Sequence, residues 1–150
     1  MADLTTTIIE SVVLNGALRG NTNVVTTSGI NNVFERILTC SHSNVTTVAV
    51  FAASPHTSAG AIDLDRTKYI RITNLDAAAV MDIAIVTTST NYQVVITPGN
   101  SHILCQADTT AIGDDSGGAP AFGTLQNITS IQVKPRGSAD VQVSMFVALT

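Results

Sequence analysis

At 150 residues, with no shift of composition along its length, the chain reads as a single domain. It is long enough to bury about 68–70% of its unfolded surface without disulfides or metals. Only 12% of its residues are charged, the net charge is −4 and Lys68 and Lys134 are its two lysines, so no basic cluster follows a phosphate backbone and nucleic acid is not expected as a partner.

Val, Ile and Thr number 16, 14 and 21, about a third of the chain, and these β-branched types suit a pleated, half-buried surface. Leu4 to Leu14 reads as the first strand, stopped by the turn dipeptide Asn15-Gly16, with Gly20-Asn21 closing the same loop and Val24 to Thr27 able to pair back. Val33 to Cys40 follows, with Val33, Glu35, Ile37 and Thr39 on one face and Phe34, Arg36, Leu38 and Cys40 on the other. Val45 to Ala53 runs into a loop through Pro55, His56 and Gly60.

Alternation is cleanest in mid-chain. Ile70 and Ile72 alternate with Arg71 and Thr73, Met81, Ile83 and Ile85 with Asp82 and Ala84, and Tyr92, Val94 and Ile96 repeat the period before Pro98-Gly99, the order a type II turn requires. Ile103 to Ala107 leaves that turn. Residues Asp108 to Gly123 lose all periodicity and read as a long mobile loop. Ile128 to Val133 and a last strand, with Val141, Val143, Met145, Val147 and Leu149 on one face, close the chain. Eight to ten short strands without an amphipathic helix predict an all-β, two-sheet antiparallel sandwich of jelly-roll type over residues 1–150.

No constellation assembles convincing chemistry. Asp115-Ser116-Gly117-Gly118 overlaps the nucleophile motif of chymotrypsin-like proteases, but His42, His56 and His102 lack the flanking residues of that family's histidine motif, and no enzyme is expected. Cys40, His42, His102 and Cys105 are zinc-ligand types, yet the odd spacing of His102 and Cys105 sends them to opposite faces of a regular strand. Asp63, Asp65, Asp114 and Asp115 fit no calcium-loop spacing and read as solvated turn acids, with Asp65 beside Arg66 and Lys68 in a local ion network. Neither cofactor nor metal is expected. Two cysteines in a chain without a basic or apolar leader at Met1 to Leu4 suggest reduced thiols in a cytoplasmically made product, and no apolar run approaches the roughly 18 residues of a membrane span.

Lys68 to Asp76 (KYIRITNLD), Val95 to Ser101 (VITPGNS), Ser11 to Gly16 (SVVLNG) and Asn31 to Ile37 (NNVFERI) resemble small virion structural proteins of tailed phages, especially those of aquatic bacteria. The resemblance implies a subunit located in the virion, on the capsid surface, at the neck or in the tail or fibre, and it brings no catalytic residue. The leading expectation is a capsid decoration or cement protein bound at capsomer junctions, touching the major capsid protein or other virion proteins. A carbohydrate-binding module is a weaker reading, with no tryptophan and only Tyr69 and Tyr92 to stack on a sugar.

Low charge also predicts self-association as a homo-oligomer, with a trimer favoured at a three-fold junction. Leu4 to Leu14 and Ala139 to Leu149 carry only Glu10 and Asp140 as charges and are expected at sheet edges, which makes Ile9 and Val143 the candidate subunit contacts.

Overall fold

The computed structural model describes residues 1–55, 60–105, 109–110 and 126–150, and among these it has fourteen strands and no α-helix. The first four strands, β1 (Ala2–Ile9), β2 (Val12–Leu14), β3 (Ala17–Arg19) and β4 (Thr22–Ile30), pair only with each other, β1 with β4 and β2 with β3. They form a ribbon with no strand pairing to the other sheets among the described residues, and residues 1–30 are called the arm below.

The body is a sandwich of two sheets. One is ordered β10 (Asn91–Ile96), β9 (Met81–Thr87), β13 (Gln126–Pro135), β6 (Thr46–Ala52), then the short parallel β7 (Ile62–Asp63), with β12 (Thr109–Thr110) also on β13. The other is ordered β11 (Ser101–Cys105), β8 (Thr67–Asn74), β14 (Val141–Leu149), β5 (Asn32–Cys40). Leaving out the two-residue strands, the antiparallel pairs are first with last (β5–β14), second with seventh (β6–β13), third with sixth (β8–β11) and fourth with fifth (β9–β10). That nested winding is the jelly roll expected from the strand rhythm.

Between the sheets, alternation decides which side chains meet. Ile70 and Ile72, Ile83 and Ile85, Ile131 and Val133, and the odd-numbered residues of β14 from Val141 to Leu149 form one continuous core. Each fully buried Ile or Val contributes roughly 1.5–3 kcal/mol of apolar burial.

β14 is not an outer strand. It lies in mid-sheet between β8 and β5, and Val143 is fully buried in the core, so the expectation that Val143 touches a neighbouring subunit is corrected. Its lack of charge reflects burial. β14 is apolar toward the core, and small or aromatic residues (Ser144, Phe146, Ala148) fill its opposite face.

All four connections that cross between the sheets at one end of the sandwich are clipped together. Asn74, fully buried at the end of β8, donates from Nδ2 to the carbonyls of Ala79 (2.8 Å) and Ile96 (3.2 Å), while its Oδ1 accepts from the Asp76 amide. Its own carbonyl accepts from Gly99 and its amide donates to Asn100. The Pro98-Gly99 turn, with φ +72° at Gly99 and the Asn100 amide bonded to the Thr97 carbonyl, is the type II turn read from the sequence. Arg136 Nε meets Asp82 at 2.6 Å, and the His42 amide and Nδ1 both meet Asp140 Oδ1 at 2.9 Å.

These bonds make the clipped end sensitive to acid. Hydrogen bonds from the His42 amide and ring hold the Asp140 carboxyl below its ordinary value of 3.8, and the Ala79 and Ala78 amides do the same for Asp76. A lowered carboxylate pKa contributes stability that is fully present above 3.8 and is lost as pH falls through the folded value. The melting temperature is therefore expected to fall as pH drops from about 5 to about 3, and the combined Asp76→Asn and Asp140→Asn variant to show a shallower fall. Thermal melts across that window check it. Equal slopes in the two proteins would mean that these carboxylates do not carry the effect.

Candidate interaction surface

The arm is built by local turn chemistry. Asn15 and Gly16 have φ of +51° and +76°, the double left-handed turn that suits a tight hairpin, and they join β2 to β3. Where β1–β4 meets β2–β3, the Glu10 amide bonds the Asn21 carbonyl at 2.8 Å, and Gly20 has φ +122°. A Cβ on Gly20 would lie 2.0 Å from the Glu10 carbonyl oxygen, so only glycine lets the two halves of the arm close. Gly20→Ala is expected to open this joint and speed tryptic cleavage after Arg19, while the melt of the sandwich moves by less than about 1 kcal/mol, because the joint lies outside the core. Unchanged cleavage would show that the joint tolerates a Cβ.

Among polar neighbours the arm displays large apolar side chains. Eight large aliphatic side chains between Ile8 and Val25 are each at least 45% exposed, with Ile9 and Val13 at 70% and Leu18 at 73%. Ile9 is thus accessible on the arm. An isolated two-stranded hairpin is marginally stable in water, and monomers rarely expose contiguous apolar patches beyond a few hundred Å².

The root of the arm does have a seat. Leu4 and Ile30 pack on the outer face of the four-stranded sheet against Tyr69, Ile103, Phe146 and Ala148. Tyr69 meets Phe146 edge-on at 6.0 Å, and the Arg71 guanidinium lies 5.7 Å over the Phe146 ring. A cleft of about 350 Å³ separates β1 from this face, with Leu4, Ile8, Arg71 and Phe146 in its walls. Arg71 Nε is buried there without a hydrogen-bond partner among the described residues. Farther along the same face, on edge strand β5, Val33 is 46% and Ile37 64% exposed.

The other candidate residues do not converge. Cys40 and His42 lie at one edge of the four-stranded sheet and His102 and Cys105 on the opposite edge strand, three strand spacings or roughly 14 Å apart. Cys40 is buried, which pushes its thiol up, and Cys105 is exposed; both are free. His102 stands 5.7 Å from Tyr92, and burial lowers its pKa. Among the described residues no three His, Cys, Asp or Glu side chains gather to hold a metal. Asp63, not Asp65, pairs with Arg66, at 3.3 Å. Tyr69 is buried and Tyr92 belongs to the other sheet, so they form no shared platform for a sugar.

His56, Ser116 and the Asp114-Asp115 pair lie outside the described residues, as does nearly all of the Asp108 to Gly123 segment. Of that segment Thr109–Thr110 pairs with Gln126 and Asn127 as β12. The sequence reading missed the separateness of the arm and the exposure of Val13, Leu18 and Ile37. Its available signal was a pair of turn dipeptides, Asn15-Gly16 and Gly20-Asn21, inside a stretch apolar on both alternating faces.

Comparison of the sequence with protein-family models and with curated proteins returns no match to either.

Proposed function

We propose that the chain is a non-enzymatic structural subunit of a tailed-phage virion, acting as a capsid decoration protein that seats at capsomer junctions. The observation that carries this reading is the arm: a ribbon that pairs only with itself and leaves eight large aliphatic side chains exposed has a use in an assembly and is a liability outside one. A jelly-roll body supports it, since this architecture recurs in viral capsid proteins, though it also serves lectins and cupins and does not by itself specify a role. The low charge adds to it, because a surface of Thr, Ala and Val meets a neighbour with little desolvation of ions.

The test is the copy number of the chain in purified particles, by quantitative mass spectrometry against the major capsid protein. A count that scales with the capsomers is expected. A count matching a single ring would move the protein to the neck, tail or fibre, and its absence from particles would overturn the virion reading altogether.

A further inference from the structure

We infer that the arm is covered by a second copy of this chain, which receives the arm tip on the outer face of its own strand β5, at Val33 and Ile37. This rests on the reading of the arm as an assembly surface and names its partner.

Three observations carry it. The first is area. The eight exposed aliphatic side chains between Ile8 and Val25 present on the order of 900 Å² divided between the two faces of the ribbon, so each face offers roughly half of that, in the range of the largest and often functional patches on single chains. The second is continuity of the receiving face. Within one chain the arm root already packs on the outer face of the four-stranded sheet, at Tyr69, Phe146 and Ala148. Val33 pairs with Ala148 and Glu35 with Phe146, so Val33 and, two residues past Glu35, Ile37 extend that same face outward to the sheet edge. The face that accepts the root in cis therefore continues to the sheet edge, where the exposed Val33 and Ile37 flank Glu35.

The third is the edge itself. β5 is nine residues long and among the described residues pairs on one side only, with β14, and Glu35 and Arg36 are its only charges. An edge of this length is normally blunted or covered. The arm of one copy on the β5 face of the next is a head-to-tail contact, since the two surfaces differ, and such contacts close into rings when the rotation permits.

Sedimentation velocity of the full chain at micromolar concentrations reads the association. Leu18→Lys with Val13→Lys on the tip, and separately Ile37→Lys on the receiving face, are each expected to weaken it by on the order of 100-fold. All three positions are exposed, so the fold should persist, and circular dichroism confirms that it does. Val95→Lys, on the other sheet, is expected to leave association unchanged. Contact is then read directly: Leu18→Cys and Ile37→Cys chains, both in a Cys105→Ser background, should form a mixed disulfide when combined and none when kept apart.

A wild-type chain that stays monomeric throughout, an oligomer indifferent to either set of lysines, or the absence of the mixed disulfide would overturn the inference. Each of these results leaves the copy number in particles free to stand or fall by itself. A monomer that still enters particles in capsomer proportion would sink the self-contact and keep the decoration reading.

Discussion

Val143→Lys is expected to leave no cooperatively folded protein, while Ile9→Lys is expected to melt within about 0.5 kcal/mol of the unmodified chain. Both replace an aliphatic residue in an apolar strand by an ammonium group. Val143 is fully buried in the core, flanked in its sheet by Asn74 on β8 and Leu38 on β5, whereas Ile9 is 70% exposed on the arm. At Val143 the change forfeits roughly 1.5–3 kcal/mol of burial and places a charge in the core at an effective cost of several kcal/mol more. Against a typical total stability of about 5–15 kcal/mol, that removes most or all of it. Thermal melts followed by circular dichroism, with the soluble yield of each variant, check the contrast. A cooperative transition for Val143→Lys within a few degrees of the parent would mean that β14 does not occupy the middle of its sheet.

The second large effect is expected at Asn74. Asn74→Leu keeps the volume but strips partners from the Ala79 and Ile96 carbonyls and from the Asp76 amide. Orphaned buried polar groups cost about 1–3 kcal/mol each, and partial relaxation brings the total to roughly 3–5 kcal/mol. For a domain of this size that lowers the melting temperature by about 10 °C or more. The exposed Asn91→Leu should shift it little. Because Asn74 joins the β8–β9 and β10–β11 connections, the loss should appear as a single cooperative shift. A fall under about 2 °C would show that water replaces the side chain at no cost.

Much of the sandwich could be read from residues alone. The alternation of Ile70 with Arg71, or Ile83 with Asp82, reports which face is buried, because a strand buried on one side only must alternate. Turns were readable for a similar reason: Asn15-Gly16 and Pro98-Gly99 have few conformations open to them. The place of a strand within its sheet was not readable. β14 and β1 are both nearly uncharged, one because it is buried in mid-sheet and the other although it is largely exposed, and charge content does not separate the two. Pairing partners far apart in sequence leave no local trace, so the arm looked like an outer strand of the body. The interaction surface was half visible, at Ile9, and half hidden, at Ile37, whose face is defined only once β5 lies beside β14.

The position of β14 also orders events in time. It is synthesised after every other strand of the sandwich, yet it separates β5 from β8, so the sheet that carries the arm has no centre until Val141 to Leu149 has left the ribosome. The arm is the opposite case, since its pairs span short loops and can form within microseconds. A growing chain thus presents its aliphatic hairpin and the facing edges of β5 and β8 for the whole interval before β14 arrives. Crowding of nascent chains on one message would then favour premature contacts, and the burden of avoiding them falls on the rate at which the final nine residues of strand are inserted.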